Sequence, residues 1–318
     1  MSGNPDADGP ATAPPAAGRA TSSSSAVPAS ASPTAGPATV LSSAPGLLAL
    51  RAKVLGWYAA NGRDLPWRHT TDPYGILVSE VMLQQTQVSR VLPKFEAFLT
   101  RFPSLEELAD APLADVLALW QGLGYNSRAV RLQRCAQAVV ATAGAEGAIA
   151  SGHPAAARLP DGVEQLRRLP GVGPYTARAV LIFAHNADLA AVDANVRRVL
   201  THELGLHHDM PAPELQAVAD AALPMGRSRD WHNALMDYGA AVLTSRVTGI
   251  APLTRQSRFR GSHRMYRAQA LRLLLEGERT LTELGGFLDL PAGEVAVIAA
   301  ELERDGLAAR EGDRLRVP

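Results

Sequence analysis

The stretch LPGVGPYTARAV, residues 169–180, decides how the chain is read. Gly171 and Gly173 flank Val172 and interrupt helical spacing that continues on both sides. One helix is expected to end at Leu169 and another to begin near Pro174, because proline suits the first helical position and glycine the turn before it. Such a turn presents unpaired backbone N–H groups at a helix N-terminus, a ready site for an anion such as a phosphate. An ordinary corner between two helices has the same spacing, so the turn alone does not settle its use. Further on, AAVDANVRRVL (190–200) sets Asp193 directly before another helical pattern. Aspartate is a preferred N-cap. The same position lies in the field of the helix dipole, which is expected to keep the carboxylate ionised and able to stabilise a cation.

Helical spacing extends outward from this hairpin. In GLLALRAKVLGWYAA (46–60), Leu47, Leu50, Val54 and the Trp57–Tyr58 pair fall on one face. Helices are predicted at 74–85, 87–101, 104–109, 113–121, 126–143, 163–169, 174–186, 194–204, 213–224 and 231–243. Alternating strand patterns are absent there, so the main body, residues 45–243, is expected to be all-α. Residues 1–44 are almost wholly Ala, Pro, Ser, Gly and Thr, a composition that cannot bury enough surface to offset its ordering entropy, and a disordered tail is expected. Residues 244–263 are expected to form a basic loop. After it, 264–318 has the pattern of three helices followed by DGLAAREGDRLRV (305–317), two short strands around a Gly-Asp turn. That order looks like a small winged helix; a plain helical cap would have a similar pattern.

Composition narrows the chemistry. A chain of 318 residues has room for about two domains, and 47% hydrophobic residues support a core through most of it. The formal net charge is zero, so only the local distribution of charge can indicate a polyanionic partner. Cys135 is the single cysteine, which excludes an internal disulfide and any cysteine-rich metal site. His207-His208, the one adjacent histidine pair, sits in a polar loop and is taken as solvated surface. There is no membrane-spanning apolar run and no secretory start, so a cytoplasmic protein is expected.

The most specific window is GRDLPWRHTTDPYGILVSEVMLQQTQVSRV, 62–91. On a helix, Glu80, Leu83, Gln84, Gln87 and Val88 share one face. A carboxyl beside Leu83 and Val88 has apolar neighbours, and desolvation there raises its pKa. An amphipathic helix with a surface glutamate would give the same window in isolation.

Taken together, LPWR, DPY, SEVMLQQTQV, GLGY (122–125), LPGVGPYTA and VDANV closely resemble the MutY-type adenine DNA glycosylases of the helix-hairpin-helix superfamily, over about residues 46–243. The resemblance implies a helix-hairpin-helix fold, two helical subdomains flanking a cleft, and removal of adenine mispaired with 8-oxoguanine or guanine in duplex DNA. It also implies roles. Glu80 would protonate adenine at N7 and Asp193 would stabilise the oxocarbenium-like sugar, with Tyr175 and Asn195 supporting them. Trp67, Arg68, Leu83, Val88 and Asn233 would line the pocket for the extruded base. Gln85 and Tyr125 would fill the emptied stack, Thr86 and Leu123 would lie near the opposing base, and the Gly171-Val172-Gly173 turn would hold a DNA phosphate. The chemistry is coherent: a neutral acid and an ionised carboxylate in one site need environments that separate their pKa values, and glycosidases pair two carboxyl groups in an analogous way. An extruded base needs both a receiving pocket and something to occupy the gap it leaves.

The departures from the family pattern are as informative. A related branch places a sugar-attacking lysine where this chain has Tyr175, whereas Lys53 and Lys94 are the only lysines present and neither is near the hairpin. Water is therefore the expected nucleophile and lyase activity is expected to be weak or absent. The family usually closes its helical domain with a four-iron four-sulfur cluster on Cys-x6-Cys-x2-Cys-x5-Cys; here that spacing selects Leu243, Ile250, Leu253 and Phe259. No cofactor is expected, and these four are expected to pack as a small apolar cluster, each burial contributing roughly 1.5–3 kcal/mol. From 244 to 272 there are seven arginines and no acid, and Arg255, Arg258 and Arg260 are expected to contact phosphates. Many relatives carry a β-rich C-terminal domain that reads oxidised guanine; 264–318 does not match it, so adenine opposite plain guanine is expected to be accepted almost as well. Asn126 follows GLGY where the family often has a second tyrosine. A monomer acting on the nucleoid is expected. The alternatives are a thymine or uracil glycosylase acting opposite guanine, which shares PWRHT, DPY and VDAN, and a catalytically silent damage-binding protein.

Overall fold

The structure is a computed structural model and describes residues 45–151, 156–251 and 258–318. The N-terminal tail, Leu253 and Arg255 lie outside the described residues. In chain order the helices are α1 (Pro45–Asn61), α2 (Pro73–Leu83), α3 (Val88–Arg101), α4 (Leu105–Asp110), α5 (Leu113–Trp120), α6 (Ser127–Ser151), α7 (Val163–Leu166), α8 (Pro174–His185), α9 (Ala194–Glu203), α10 (Ala212–Ala221), α11 (Ser228–Ala241) and the single turn α12 (Ser245–Thr248). They are followed by α13 (His263–Glu276), β1 (Arg279–Thr280), α14 (Leu281–Leu288), α15 (Ala292–Arg304), β2 (Ala309–Glu311) and β3 (Arg314–Arg316).

Local chemistry explains the key starts and stops. Asp72 caps α2, its carboxylate accepting from the N–H groups of Tyr74 and Gly75, and Pro73 occupies the first helical turn. From Tyr74 to Met82 every residue of α2 is buried, so this is a helix enclosed on all sides rather than an amphipathic one. Its end corrects the sequence expectation. The helix stops at Leu83, and Gln85 adopts φ 53°, a left-handed conformation that breaks the spacing. Gln84, Gln87 and Val88 therefore do not continue the face that carries Glu80. The first hairpin helix closes at Leu166 rather than Leu169, whereas α6 runs on to Ser151, well past the expected 143.

The buried side chains form two cores. The first gathers α2 to α8 around Met82, Phe98, Phe102, Leu108, Trp120 and Leu166, with Phe98 edge-on to Trp120 at 6.0 Å. In the second, Leu47, Leu50 and Val54 of α1 pack on Val199, Leu200, Trp231, Leu235 and Tyr238 of α9 and α11. The chain thus returns its first helix to its later ones, and the space between the two cores becomes a cleft.

The C-terminal segment has the order helix, strand, helix, helix, strand, strand, with an antiparallel sheet in the order β1-β3-β2. This is a winged-helix arrangement with one strand more than the sequence pattern indicated. Leu271, Leu274, Leu284, Ile298, Leu302 and Leu315 belong to the same buried cluster as the first core, so the segment is fused to that half of the body. The basic stretch before it is not wholly a loop, since α12 forms a helical turn within it and α13 begins at His263. Among the described residues, no helix is long and apolar enough to cross a membrane.

Candidate active site

A cavity of about 460 Å³ opens between the two cores. Glu80 and Leu83 reach it from α2, Tyr175 and Phe183 from α8, Asp193 and Asn195 from the start of α9, and Asn233 and Met236 from α11. Trp67, Arg68, Gln84, Gln85, Thr86 and Val88 complete its wall. Residues far apart in sequence, 80, 175 and 193, therefore meet in one chamber.

Glu80 is 8% exposed. Burial, then the nearby Asp193 charge, push its carboxyl up to about 7, against a hydrogen bond from the Tyr175 hydroxyl that favours the ionised form. Burial raises the Tyr175 phenol well above its ordinary value, so it is a neutral donor and not a phenolate. Asp193 caps α9: its Oδ1 accepts the Val196 N–H at 2.7 Å and its Oδ2 accepts the Asn195 amide at 2.9 Å. The helix dipole is not the only influence on the Asp193 carboxyl. Burial raises the Asp193 carboxyl above its ordinary value, and the Val196 and Asn195 hydrogen bonds reduce that rise without reversing it.

A buried guanidinium that the sequence reading missed supports the cap. Arg198 Nη2 donates to Asn195 Oδ1 at 2.7 Å and to the Gly239 carbonyl at 2.7 Å, and its Nε donates to the Leu243 carbonyl. The Asn195 amide is thereby turned toward Asp193. Gly239 permits this approach, since a Cβ there would stand 2.9 Å from Asn195 Cβ.

Trp67, Arg68, Leu83, Val88 and Asn233, the residues expected to line a base pocket, all border the cavity. Trp67 is buried edge-on to Phe95 at 5.5 Å. Arg68 lines the cavity but spends both terminal nitrogens on Asp237, each at 2.8 Å, which ties the 63–68 turn to α11. Burial pushes the Asp237 carboxyl up, and the hydrogen bonds from Arg68 and Arg63 more than reverse it. Arg229, also in the wall, was not anticipated. The Nε atoms of Arg68 and Arg229 are buried without a hydrogen-bond partner among the described residues.

At the mouth, Gln85 and Tyr125 are both non-glycine residues at positive φ, 53° and 47°. Such backbone clusters at functional positions. Leu123 buries its side chain in the first core, and its carbonyl accepts from Thr86 Oγ1. The two loops are joined by Arg128, a second guanidinium missed in sequence. Its Nη1 donates to the carbonyls of Val81, Met82 and Gln84, its Nη2 to Thr86 Oγ1 and the carbonyls of Leu123 and Gly124, and its Nε to the Tyr125 carbonyl. At the hairpin, Val172 is buried and Gly171 has φ 79°, with Arg131 Cβ only 2.8 Å from where a side chain would begin.

The positions corresponding to cluster cysteines do not fit such a group. Leu243 and Ile250 are buried hydrocarbons, while Phe259 is 50% exposed with the Arg264 guanidinium 5.3 Å from its ring, which corrects the expected four-member apolar cluster. Cys135 is buried in the first core, where desolvation pushes its thiol up to about 12. Arg258 and Arg260 are exposed.

The fold and this site define a class. The family described as HhH-GPD superfamily base excision DNA repair protein matches residues 78–222, a span that contains Glu80, the hairpin and Asp193. A solved thermostable thymine-DNA glycosylase superposes with TM-score 0.54 at 28% identity, covering 63% of this chain and 89% of that one. Adenine DNA glycosylase of Mycolicibacterium smegmatis is 38% identical over 251 residues, 72% of this chain and 82% of the relative. That of Mycobacterium tuberculosis is 42% identical over 207 residues, 63% of this chain and 64% of the relative. The chain belongs to the MutY-type adenine DNA glycosylase family of base-excision repair proteins.

Proposed function

We propose that this protein extrudes adenine mispaired with guanine or 8-oxoguanine from duplex DNA and cleaves its N-glycosidic bond with water. One observation carries the reading: Glu80, Tyr175 and Asp193 converge on a single cavity between the two helical cores. The protonated Glu80 donates to adenine N7, which makes the base a good leaving group. As the C1′–N9 bond breaks, the Asp193 carboxylate faces the positive charge growing on the sugar, and its cap hydrogen bonds hold it in place. Water adds at C1′ and loses a proton, leaving free adenine and an abasic sugar. Tyr175, a phenol held neutral, orients Glu80 and does not attack the sugar, so lyase activity is weak. The reaction proceeds without a four-iron four-sulfur cluster, because the donor set for one is absent from the sequence. The exposed Arg258 and Arg260 support a phosphate track beside the mouth.

The likeness to a thymine-DNA glycosylase favours a second reading, removal of thymine or uracil opposite guanine. Duplexes carrying A opposite 8-oxoguanine, A opposite G, T opposite G and U opposite G distinguish the two. Release of adenine from the first two at rates within about tenfold of each other is expected, since a tenfold ratio is only about 1.4 kcal/mol of discrimination. Release of thymine or uracil with adenine untouched would overturn the proposal.

The spacing of α9 and α11 gives a further test. Gly239→Ala places a methyl against Asn195, forcing the cap of α9 outward; a cost of about 1–3 kcal/mol in stability is expected, as for overpacking elsewhere. Adenine release should slow together with it, as Asp193 shifts. A urea midpoint and a single-turnover rate measured on the same preparation check both effects, and an unchanged rate would show that the cap does not govern Asp193.

A further inference from the structure

Tyr125 is gripped from a part of the chain that the site described above does not include. Arg264 is the second residue of α13, whose start is fixed by Ser262 Oγ accepting the Met265 N–H. Its Nη1 donates to the Tyr125 hydroxyl at 2.6 Å across 139 residues of sequence. The Arg264 guanidinium carbon lies 5.2 Å from the Tyr125 ring centroid and 5.3 Å from that of Phe259. The Arg128 guanidinium also lies over the Tyr125 ring, at 5.8 Å, and bonds its carbonyl. The backbone of Tyr125 is therefore held by the body and its hydroxyl by the C-terminal winged helix.

A charge-assisted hydrogen bond and a cation–π contact on one ring fix its rotamer far more firmly than the left-handed backbone alone. Neither contact is local, and Arg264 lies in a segment for which the sequence offered no role beyond positive charge. We infer that Arg264 is a positioning residue: through it the C-terminal module holds Tyr125 in the pose that fills the emptied base stack, so that extrusion of the target base depends on that module. The inference rests on the reading that Tyr125 enters duplex DNA. Phe259 places a second ring 5.3 Å from the same guanidinium. The module thus serves the wedge and not the reacting bond.

The full chain is tested on a duplex in which 2-aminopurine faces a tetrahydrofuran abasic site, where wedge insertion is seen as a fluorescence change without any cleavage. Arg264→Ala and Tyr125→Phe should each lose most of that change and weaken binding of this duplex about five- to tenfold, a typical size for such coupled contacts. The double variant should be no worse than the weaker single one. Arg264→Lys keeps charge but lacks the planar fork, and should recover less than half of the signal. In single-turnover excision of adenine by Arg264→Ala, the half-saturating protein concentration should rise by the same roughly five- to tenfold. Multiplicative effects in the double variant, or full fluorescence change in a folded Arg264→Ala protein, would overturn the inference. Tyr125→Phe removes only a hydroxyl and so decides the matter even where Arg264→Ala folds poorly. A wild-type protein that releases no adenine yet gives the fluorescence change would refute the adenine reading while leaving Arg264 in its role.

Discussion

Glu80→Gln lowers the single-turnover rate of adenine release by about 10³-fold, within the range that a positioned general acid supplies. The amide fills the same space on α2 and still meets Tyr175, but it has no proton to give to N7. The pH profile follows from the same group. With the carboxyl at about 7, the rate is near its maximum below that pH and falls by about tenfold for each unit above it, since only the protonated form is active. A flat profile from pH 6 to 9 would remove Glu80 from the role of acid. Stability is linked to the same proton and also falls as pH rises. Between the ordinary value of 4.5 and about 7, the folded protein retains a proton that the unfolded chain has released. Folding is therefore favoured at low pH, and stability declines as pH rises through this window, by roughly 3 kcal/mol at most, then levels off. Glu80→Gln carries no such penalty, so its urea midpoint should exceed that of the wild type at pH 8 and approach it at pH 5. A variant that is less active and more stable is the signature of a group retained for chemistry.

Features set by neighbouring residues were legible in the sequence. Asp72-Pro73 announces the start of α2, Gly173-Pro174 that of α8, and Asp193 that of α9, because caps and prolines act within one turn. The meeting of Glu80 with Asp193 was legible only through the family resemblance, since no local rule joins positions so far apart. What escaped the sequence depends on tertiary contacts. The helix was carried past Leu83 because the residues beyond it keep helical spacing; the break at Gln85 lies between Gln84 and Thr86, both of which Arg128 engages from another helix. An arginine in a helical pattern is ordinarily solvated, so neither Arg128 nor Arg198 stood out, although both prove to be buried hubs. β1 is two residues long, too short for any alternation to register. Phe259 was assigned to packing by its spacing alone, whereas it is the aromatic partner of Arg264.

Arg128→Ala is expected to have the largest structural effect of any single change at the mouth. The side chain is 6% exposed, and desolvation lowers its pKa to about 10, yet it remains a cation at neutral pH because its donors are met by acceptors from both loops. Truncation removes the side-chain donor to the buried carbonyls of Val81 and Met82, and leaves those of Gln84, Leu123 and Gly124 with one weaker donor each. Each such loss costs about 1–3 kcal/mol, and allowing for relaxation and partial hydration the sum is expected at about 3–5 kcal/mol. Arg128→Lys should recover little, since one ammonium cannot reach acceptors on both loops as a planar fork does. The functional consequence goes beyond stability: once Gln85 and Tyr125 lose their common anchor, their left-handed backbones have nothing to hold them against the strain. Binding of a mismatched duplex should therefore weaken by more than tenfold at temperatures where the variant remains folded. Thermal melting locates that range, and titration of the duplex within it gives the affinity. Wild-type affinity in a destabilised but folded Arg128→Ala protein would mean that the two loops keep their shape independently, and that the guanidinium serves the core alone.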